Sequence, residues 1–127
     1  MLDFNEQMKK LKGVNGYIGA AILNKQGETL YLDEEGTSSD IVYAASVLND
    51  SFLEISEASI DVGFSPINML ETQTTDGHVF IIKSVEGKDE SSHLTFFTIF
   101  KDKGNISLAK MVIDRSATRI LAMIDDI

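Results

Sequence analysis

Three glycines near the start of the chain, Gly13, Gly16 and Gly19, are the first candidates for chemistry, because glycine-rich loops can cradle phosphate groups. Their spacing differs from that of known nucleotide-binding loops, and no Lys-Ser or Lys-Thr pair follows them. An apolar segment typical of a strand comes next, so no helix N-terminus would face a phosphate. We interpret the three residues as a helix end, a turn and a point of close packing, and we predict no nucleotide cofactor.

The other reactive side chains give no clearer sign of a reaction. His78 and His93 each stand alone in the sequence, whereas metal sites need several ligands at close spacing, so surface or hydrogen-bonded histidines are the favoured interpretation. The acidic run 33–35 lacks the spacing of a calcium loop. There is no cysteine and no GxSxG motif. The sequence thus predicts no metal, no cofactor and no catalytic residue, although a carboxylate pair acting as acid and base stays a third possibility.

Charge is distributed unevenly along the chain. The formal net charge of −9 argues against nucleic acid as a partner, because phosphate binding needs clustered Lys and Arg. Between Lys25 and Lys83 there is no Lys or Arg, and residues 26–82, which we call the lysine-free stretch, carry eleven acidic residues. This stretch is either a solvated surface that aids solubility or a face that steers a basic partner.

Composition and length set the class of protein. The 127 residues predict a single domain spanning 1–127 with a core of its own. The absence of cysteine favours a reducing cytoplasm. Apolar runs are far shorter than the ~20 residues of a membrane span, and the first residues lack the apolar region of a signal peptide, so we expect no membrane insertion.

Hydrophobic periodicity predicts three helices and five strands in the order αββαβββα. Because the links between neighbouring strands have hairpin length, the sheet should be mostly antiparallel, with helices on both faces, which defines an α+β fold. Ser38 or Ser39 is expected to cap the middle helix and Asn105 the last one. The predicted elements are helices at 4–12, 40–59 and 106–124, and strands at 17–23, 29–32, 68–74, 78–85 and 94–100.

Two of these elements predict a contact with another chain. The middle helix has an apolar arc of roughly 240°, whereas a helix lying on one sheet needs little more than ~100°. The strand at 68–74 alternates in polarity like an edge strand and contains neither Lys nor Pro to block pairing. The expected buried line of the helix is Ile41, Ala45, Leu48, Phe52 and Ile55, flanked by Val42, Leu53 and Ile60 on one side and by Ala44 and Val47 on the other.

The whole pattern resembles the Roadblock/dynein light-chain family. The resemblance covers about residues 8–124 and depends on element order more than on any single motif. The segments that carry it are Leu11–Ala21 (LKGVNGYIGAA), Gly27, Tyr43-Ala44-Ala45, Asp76-Gly77, Val79–Ile82 (VFII) and Leu94–Phe97 (LTFF).

This resemblance implies a five-stranded antiparallel sheet of Roadblock-like, profilin-like architecture, with the middle helix on one face and the terminal helices on the other. Members dimerise through their middle helices and middle strands, and act without catalysis as scaffolds, as regulators of Ras-like small GTPases or as motor-complex subunits. The interface that the resemblance implies for this chain comprises Tyr43, Val47 and Glu54 on the helix and Met69, Leu70, Glu71 and Thr72 on the edge strand.

The leading hypothesis for function is therefore a cytoplasmic homodimer that binds a Ras-like small GTPase and modulates its GTP turnover in polarity, motility or signalling. A heterodimer stays open. The alternative is a small-molecule sensor of the PAS-like or profilin-like type. Such a sensor needs a pocket between helix and sheet, and the bulky strands VFII and LTFFTIF show little sign of one.

Overall fold

The structure, a computed structural model, describes residues 3–88 and 93–125. The predicted order αββαβββα is confirmed, and every predicted element boundary lies within two residues of the observed one. The elements are α1 (Phe4–Lys12), β1 (Tyr17–Asn24), β2 (Thr29–Asp33), α2 (Ile41–Asp61), β3 (Met69–Gln73), β4 (Val79–Val85), β5 (Leu94–Phe100) and α3 (Ile106–Asp125).

The five strands form one sheet in the order β2-β1-β5-β4-β3, and every neighbouring pair is antiparallel. The predicted α+β class, with a five-stranded antiparallel sheet and helices on both faces, is confirmed. The central strand β5 is buried along its whole length, and β1 is buried from Gly19 to Leu23. Cover on both faces explains why neither strand alternates between apolar and polar residues.

The helices cover the two faces of the sheet unequally. On the face that we call the two-helix face, α1 and α3 pack over residues such as Ile22, Phe96 and Phe100. On the opposite, one-helix face, α2 alone packs over Ala21, Phe97 and their neighbours. The division of helices that the Roadblock resemblance implies is thus present.

The start of α2 differs from the prediction. Asp40 caps this helix by accepting a hydrogen bond from the backbone N–H of Tyr43 at 3.0 Å, so the expected caps Ser38 and Ser39 are wrong. A carboxylate at this position also interacts favourably with the positive end of the helix dipole. Asn105 caps α3 as predicted, accepting from the backbone N–H of Leu108 at 3.1 Å.

Gly19 lets α2 approach β1 closely. A Cβ at this position would lie 2.5 Å from Ile41 Cδ1 and 2.7 Å from the Asp33 backbone oxygen, distances that real Cβ atoms do not reach. The interpretation of this glycine as a packing position is therefore confirmed. Its absent side chain sets how deeply the first turn of α2 sits on the sheet.

Candidate interaction surface

The outward side of α2 exposes large apolar residues. The predicted buried line holds at Ile41, Ala45 and Phe52, and Leu48 is half-buried. It is wrong at Ile55, whose side chain is 43% exposed. Successive helix residues are rotated by ~100°, so Ile55 lies about 60° round the helix from Phe52 and leaves the sheet.

The three helix residues of the predicted interface lie together on this outward side. Tyr43 is 68% exposed, Val47 is 46% exposed, and Glu54 is also exposed. Their spacing of four and seven residues keeps them within about 40° of one another on the helix. They form one stripe that combines two apolar side chains with a carboxylate.

A second exposed flank runs along the other side of α2. Val42, Leu53 and Ile60 are between 37% and 51% exposed, as expected for side chains flanking the buried line. A single exposed apolar residue would be unremarkable, but exposed residues on both sides of one helix form an extended apolar surface. The over-wide apolar arc is therefore real and is left uncovered by the rest of the described chain.

The edge strand β3 divides its predicted interface residues between the two faces. Leu70 packs against the α2 cluster, and Thr72 lies on the same side. Met69 packs against the cluster of the two-helix face, and the carboxylate of Glu71 lies 2.5 Å from Lys110 Nζ of α3. The structure thus places Leu70 and Thr72 on the face of the sheet that α2 covers, and Met69 and Glu71 on the opposite face.

The lysine-free stretch forms β2, α2, β3, the first part of β4 and the turns and loops between them. The helix α2, which covers the one-helix face, therefore carries acidic residues and no Lys or Arg. Basic residues concentrate instead on the two-helix face, where Lys83 lies 3.3 Å from Asp114. Other bases on its helices are Lys9, Lys10 and Lys12 of α1, and Lys110, Arg115 and Arg119 of α3.

A cavity of about 370 Å³ opens between the start of α2 and the β3–β4 turn. Phe80 and Ile99 form its floor instead of filling it, so the expectation that these strands leave little sign of a pocket is wrong. A strand sequence cannot reveal this cavity, because its walls come from the start of α2 and from loops as well as from the sheet. Its apolar lining is Ile18, Ile41, Ala44, Phe80 and Ile99, and its polar rim is Thr37, Ser39, Asp40, Thr74, Asp76 and His78.

Hydrogen bonds fix the charge on the rim of this cavity. The Thr74 hydroxyl bonds to the Asp76 carboxylate, and His78 Nδ1 lies 3.0 Å from the same oxygen. These contacts, that of Thr74 first, lower the pKa of Asp76 to about 2. Asp76 therefore keeps its negative charge to a lower pH than an ordinary aspartate does.

Asp33, the first residue of the acidic run, is a buried structural residue. Its side chain is 7% exposed and accepts a hydrogen bond from the Tyr17 hydroxyl at 2.5 Å, and Lys12 Nζ lies 3.7 Å away. Burial, followed by this hydrogen bond, raises the pKa of Tyr17 well above its ordinary value. Within residues 3–88 and 93–125, no three His, Asp or Glu side chains are arranged to hold a metal ion.

Both histidines make hydrogen-bonding contacts, as interpreted from the sequence. His78 contacts Asp76, and His93 Nε2 lies 3.3 Å from Ser84 Oγ. No helix within the described ranges is both long enough and apolar enough to cross a membrane.

Comparison with known proteins places the fold. No family model matches the sequence, and no curated protein matches it. Among solved structures, MglB of Myxococcus xanthus has a TM-score of 0.79 at 10% sequence identity, covering 98% of this chain and 96% of that one. The gliding protein MglB of Thermus thermophilus has a TM-score of 0.79 at 11% identity, covering 98% of this chain and 90% of that one.

A third structure carries the family name in its description. A Roadblock/LC7 domain from Streptomyces avermitilis has a TM-score of 0.77 at 12% identity, covering 97% of this chain and 98% of that domain. The chain therefore has the Roadblock/LC7 fold, and the resemblance noted in the sequence is confirmed for the fold.

Proposed function

We propose that this chain is a non-catalytic, dimeric regulator or scaffold that binds a Ras-like small GTPase. The observation that carries the proposal is the exposed stripe of α2 beside an open sheet edge, because Roadblock-like chains are expected to dimerise there. The structural likeness to a gliding protein of Thermus thermophilus supports a role in motility or polarity. The unit that dimerises is a single cytoplasmic domain spanning residues 1–127.

In the proposed homodimer, two copies of β3 pair antiparallel and two copies of α2 pack side by side. Strand pairing satisfies the backbone groups that an edge strand leaves open. Tyr43 and Val47 supply apolar area on the helix, and Leu70 and Thr72 supply it on the strand. A two-fold axis makes each of these residues contact the same surface of the second copy.

The GTPase is expected to present a basic surface to this dimer. Exposed acids of α2 outside the stripe, namely Asp50, Glu57 and Asp61, add negative charge beside it. Opposite charges on two partners accelerate their encounter, and salt screens that attraction. Association of the two proteins should therefore slow as ionic strength rises, and equal rates at low and high salt would contradict this part of the proposal.

The dimer is tested by sedimentation velocity over a range of micromolar concentrations. The expected result is a species of twice the 14.0 kDa chain mass. A mass of one chain at every concentration would contradict the dimer without bearing on whether the monomer binds a GTPase.

The GTPase part needs its own experiment. A small GTPase that is co-encoded with this chain, or that co-purifies with it, is assayed for GTP turnover with and without the wild-type chain. We expect turnover to change with the wild-type chain and not with Val47→Asp, while Met111→Asp on α3 serves as a control at a similarly exposed position. Unchanged turnover and no co-purification together would reject a GTPase partner.

The cavity at the start of α2 supports a second candidate function, a small-molecule sensor. Its volume of about 370 Å³ lies within the range of ~300–1,000 Å³ common for ligand pockets. A thermal-shift screen with small metabolites separates the candidates, because a sensor should gain stability from a ligand whether or not a GTPase is present.

A further inference from the structure

The loop after α2 holds an aromatic side chain in solvent. Phe64 is 73% exposed and Val62 is 71% exposed, which makes them the most exposed large apolar residues in the described ranges. Such a pair of neighbours is unusual on a surface unless something covers it.

Hydrogen bonds hold this loop in one conformation. The backbone N–H of Phe64 donates to the Ser59 carbonyl at 2.9 Å, and the Ser59 hydroxyl donates to the Ser65 carbonyl at 2.7 Å. The N–H of Ile67 donates to Ser56 Oγ at 3.1 Å. Gly63 takes a φ of 95°, which favours glycine, and turns the chain. Phe64 is thus displayed by a fixed loop.

The loop and the cavity lie at opposite ends of α2. Asp40, Ile41 and Ala44, at the start of the helix, line the cavity, whereas Phe64 follows the end of the helix. The strand β3 runs back between these ends. Asn68, just before it, accepts from the Ser84 N–H, and Thr74, just after it, lines the cavity.

Antiparallel pairing of two β3 strands places the end of one strand beside the start of the other. With Glu71, the middle residue of the strand, on the two-fold axis, Thr74 of one copy lies opposite Asn68 of the second copy. Phe64 is four residues before Asn68, which gives a reach of at most about 14 Å along the chain. In this arrangement the loop of one copy would lie within reach of the cavity of the other.

We infer that Phe64 of each copy inserts into the cavity at the start of α2 of the other copy. The ring would lie on Phe80 and Ile99 and against Ala44. This contact would remove apolar surface from water both on the Phe64 ring and on the cavity lining. This inference rests on the proposed homodimer and adds the residue that each copy contributes to the other. Two identical contacts form, one at each end of the paired strands.

Cysteine cross-linking tests this contact directly, because the chain has no cysteine of its own. Ala44→Cys and Phe64→Cys are made as separate variants, mixed, and treated with a short bis-maleimide. A cross-linked dimer should form in the mixture, and in neither variant alone, because like positions lie at opposite ends of the dimer. Met111→Cys mixed with Phe64→Cys is the control and should not cross-link, since Met111 lies on α3.

Sedimentation measurements separate the failure of this inference from the failure of the dimer. Phe64→Ala should raise the dimer dissociation constant at least tenfold, whereas Met111→Ala, a control at an exposed α3 residue, should leave it unchanged. A monomeric wild-type chain would overturn both proposals. The contact alone would be overturned if the wild-type chain dimerises but the Ala44→Cys and Phe64→Cys variants do not cross-link. It would also be overturned if the dissociation constant of the Phe64→Ala dimer equals that of the wild type. A small molecule that occupies the cavity while the dimer persists unchanged would likewise overturn the contact.

Discussion

The two faces of the sheet differ in how completely they are covered. On the two-helix face, α1 and α3 bury residues such as Met8, Phe96 and Phe100, and basic side chains lie on both helices. On the one-helix face, α2 leaves a cavity at one end and exposes apolar side chains along both flanks. The two faces share one sheet, so the difference arises from the helices and loops that cover them.

The helix α2 carries more apolar surface than its packing on the sheet requires. A helix that only had to cover the sheet could carry polar residues at Tyr43 and Val47, as surface helices commonly do. The charge pattern also differs between the faces, because α2 carries acidic residues and no Lys or Arg, whereas α1 and α3 together carry six Lys and Arg residues. Exposed apolar area and negative charge therefore occur together on α2.

The largest effects should come from adjacent phenylalanines on β5. Phe96 and Phe97 are each 1% exposed, but Phe96 faces the two helices and Phe97 faces α2. Phe→Ala in a core costs about 3–5 kcal/mol, and less where the surroundings can collapse. We expect Phe96→Ala near the top of that range and Phe97→Ala near the bottom, measured by urea unfolding at one protein concentration. The reverse order would break the comparison.

Gly19→Ala should have the next largest effect. The added Cβ would collide with Ile41 Cδ1 and with the Asp33 backbone, so α2 or β2 must shift, and overpacking of this kind costs about 1–3 kcal/mol. Thermal unfolding measures the loss. Gly27→Ala is the contrasting variant, since nothing lies within 4 Å of its Cβ and only its φ of 84° opposes the change. Equal stability of Gly19→Ala and the wild type would refute the tight contact.

Val47→Asp should weaken the proposed dimer by at least tenfold, about 1.4 kcal/mol. A carboxylate placed in the apolar stripe would be desolvated on dimerisation and would face other acids. Met111→Asp at a 52% exposed position on α3 should leave dimerisation unchanged. Sedimentation equilibrium gives both dissociation constants, and equal weakening by the two variants would show that the faces do not differ in this respect.

The smallest effect concerns the charge at the cavity rim. The folded-state pKa of Asp76 lies at about 2 against an ordinary 3.8. The ionised Asp76 carboxylate therefore contributes its full stabilisation of the folded state above pH 3.8, and this contribution is lost as the pH falls towards 2. Thr74→Ala should raise the Asp76 pKa towards 3.8 in an NMR titration. Thr74→Ser, which keeps the hydroxyl, should leave it low, and equal pKa values in the two variants would argue against the hydrogen bond.

Features set by short-range pattern were predictable from the sequence. The element order, the edge position of β3 and the outward direction of Tyr43, Val47 and Glu54 follow from periodicities of two or 3.6 residues. These periodicities report which way a side chain points from its own element. They therefore give the candidate surface in outline.

Features set by the placement of one element against another were not predictable. Ile55 was expected to be buried, because periodicity does not show how far a helix stays on its sheet. The partner of Glu71 depends on where α3 lies, and the cavity depends on how the start of α2 and the β3–β4 turn are placed against the sheet. Asp40 and its serine neighbours are all good caps, so only the position of Ile41 in the core decides which one begins the helix.

The ion pair between Glu71 and Lys110 has a consequence for the sheet edge. Charged side chains on edge strands normally repel stray neighbours, and Glu71 is the charged residue of β3. Lys110 neutralises it from α3, and this matters most in the proposed dimer, where two Glu71 residues would otherwise confront each other as like charges. In the proposed dimer, α3 would thereby favour the pairing of the two β3 strands although it lies outside their contact. Removal of the Lys110 charge would then leave the two Glu71 carboxylates to repel each other and would weaken the pairing of the two edge strands.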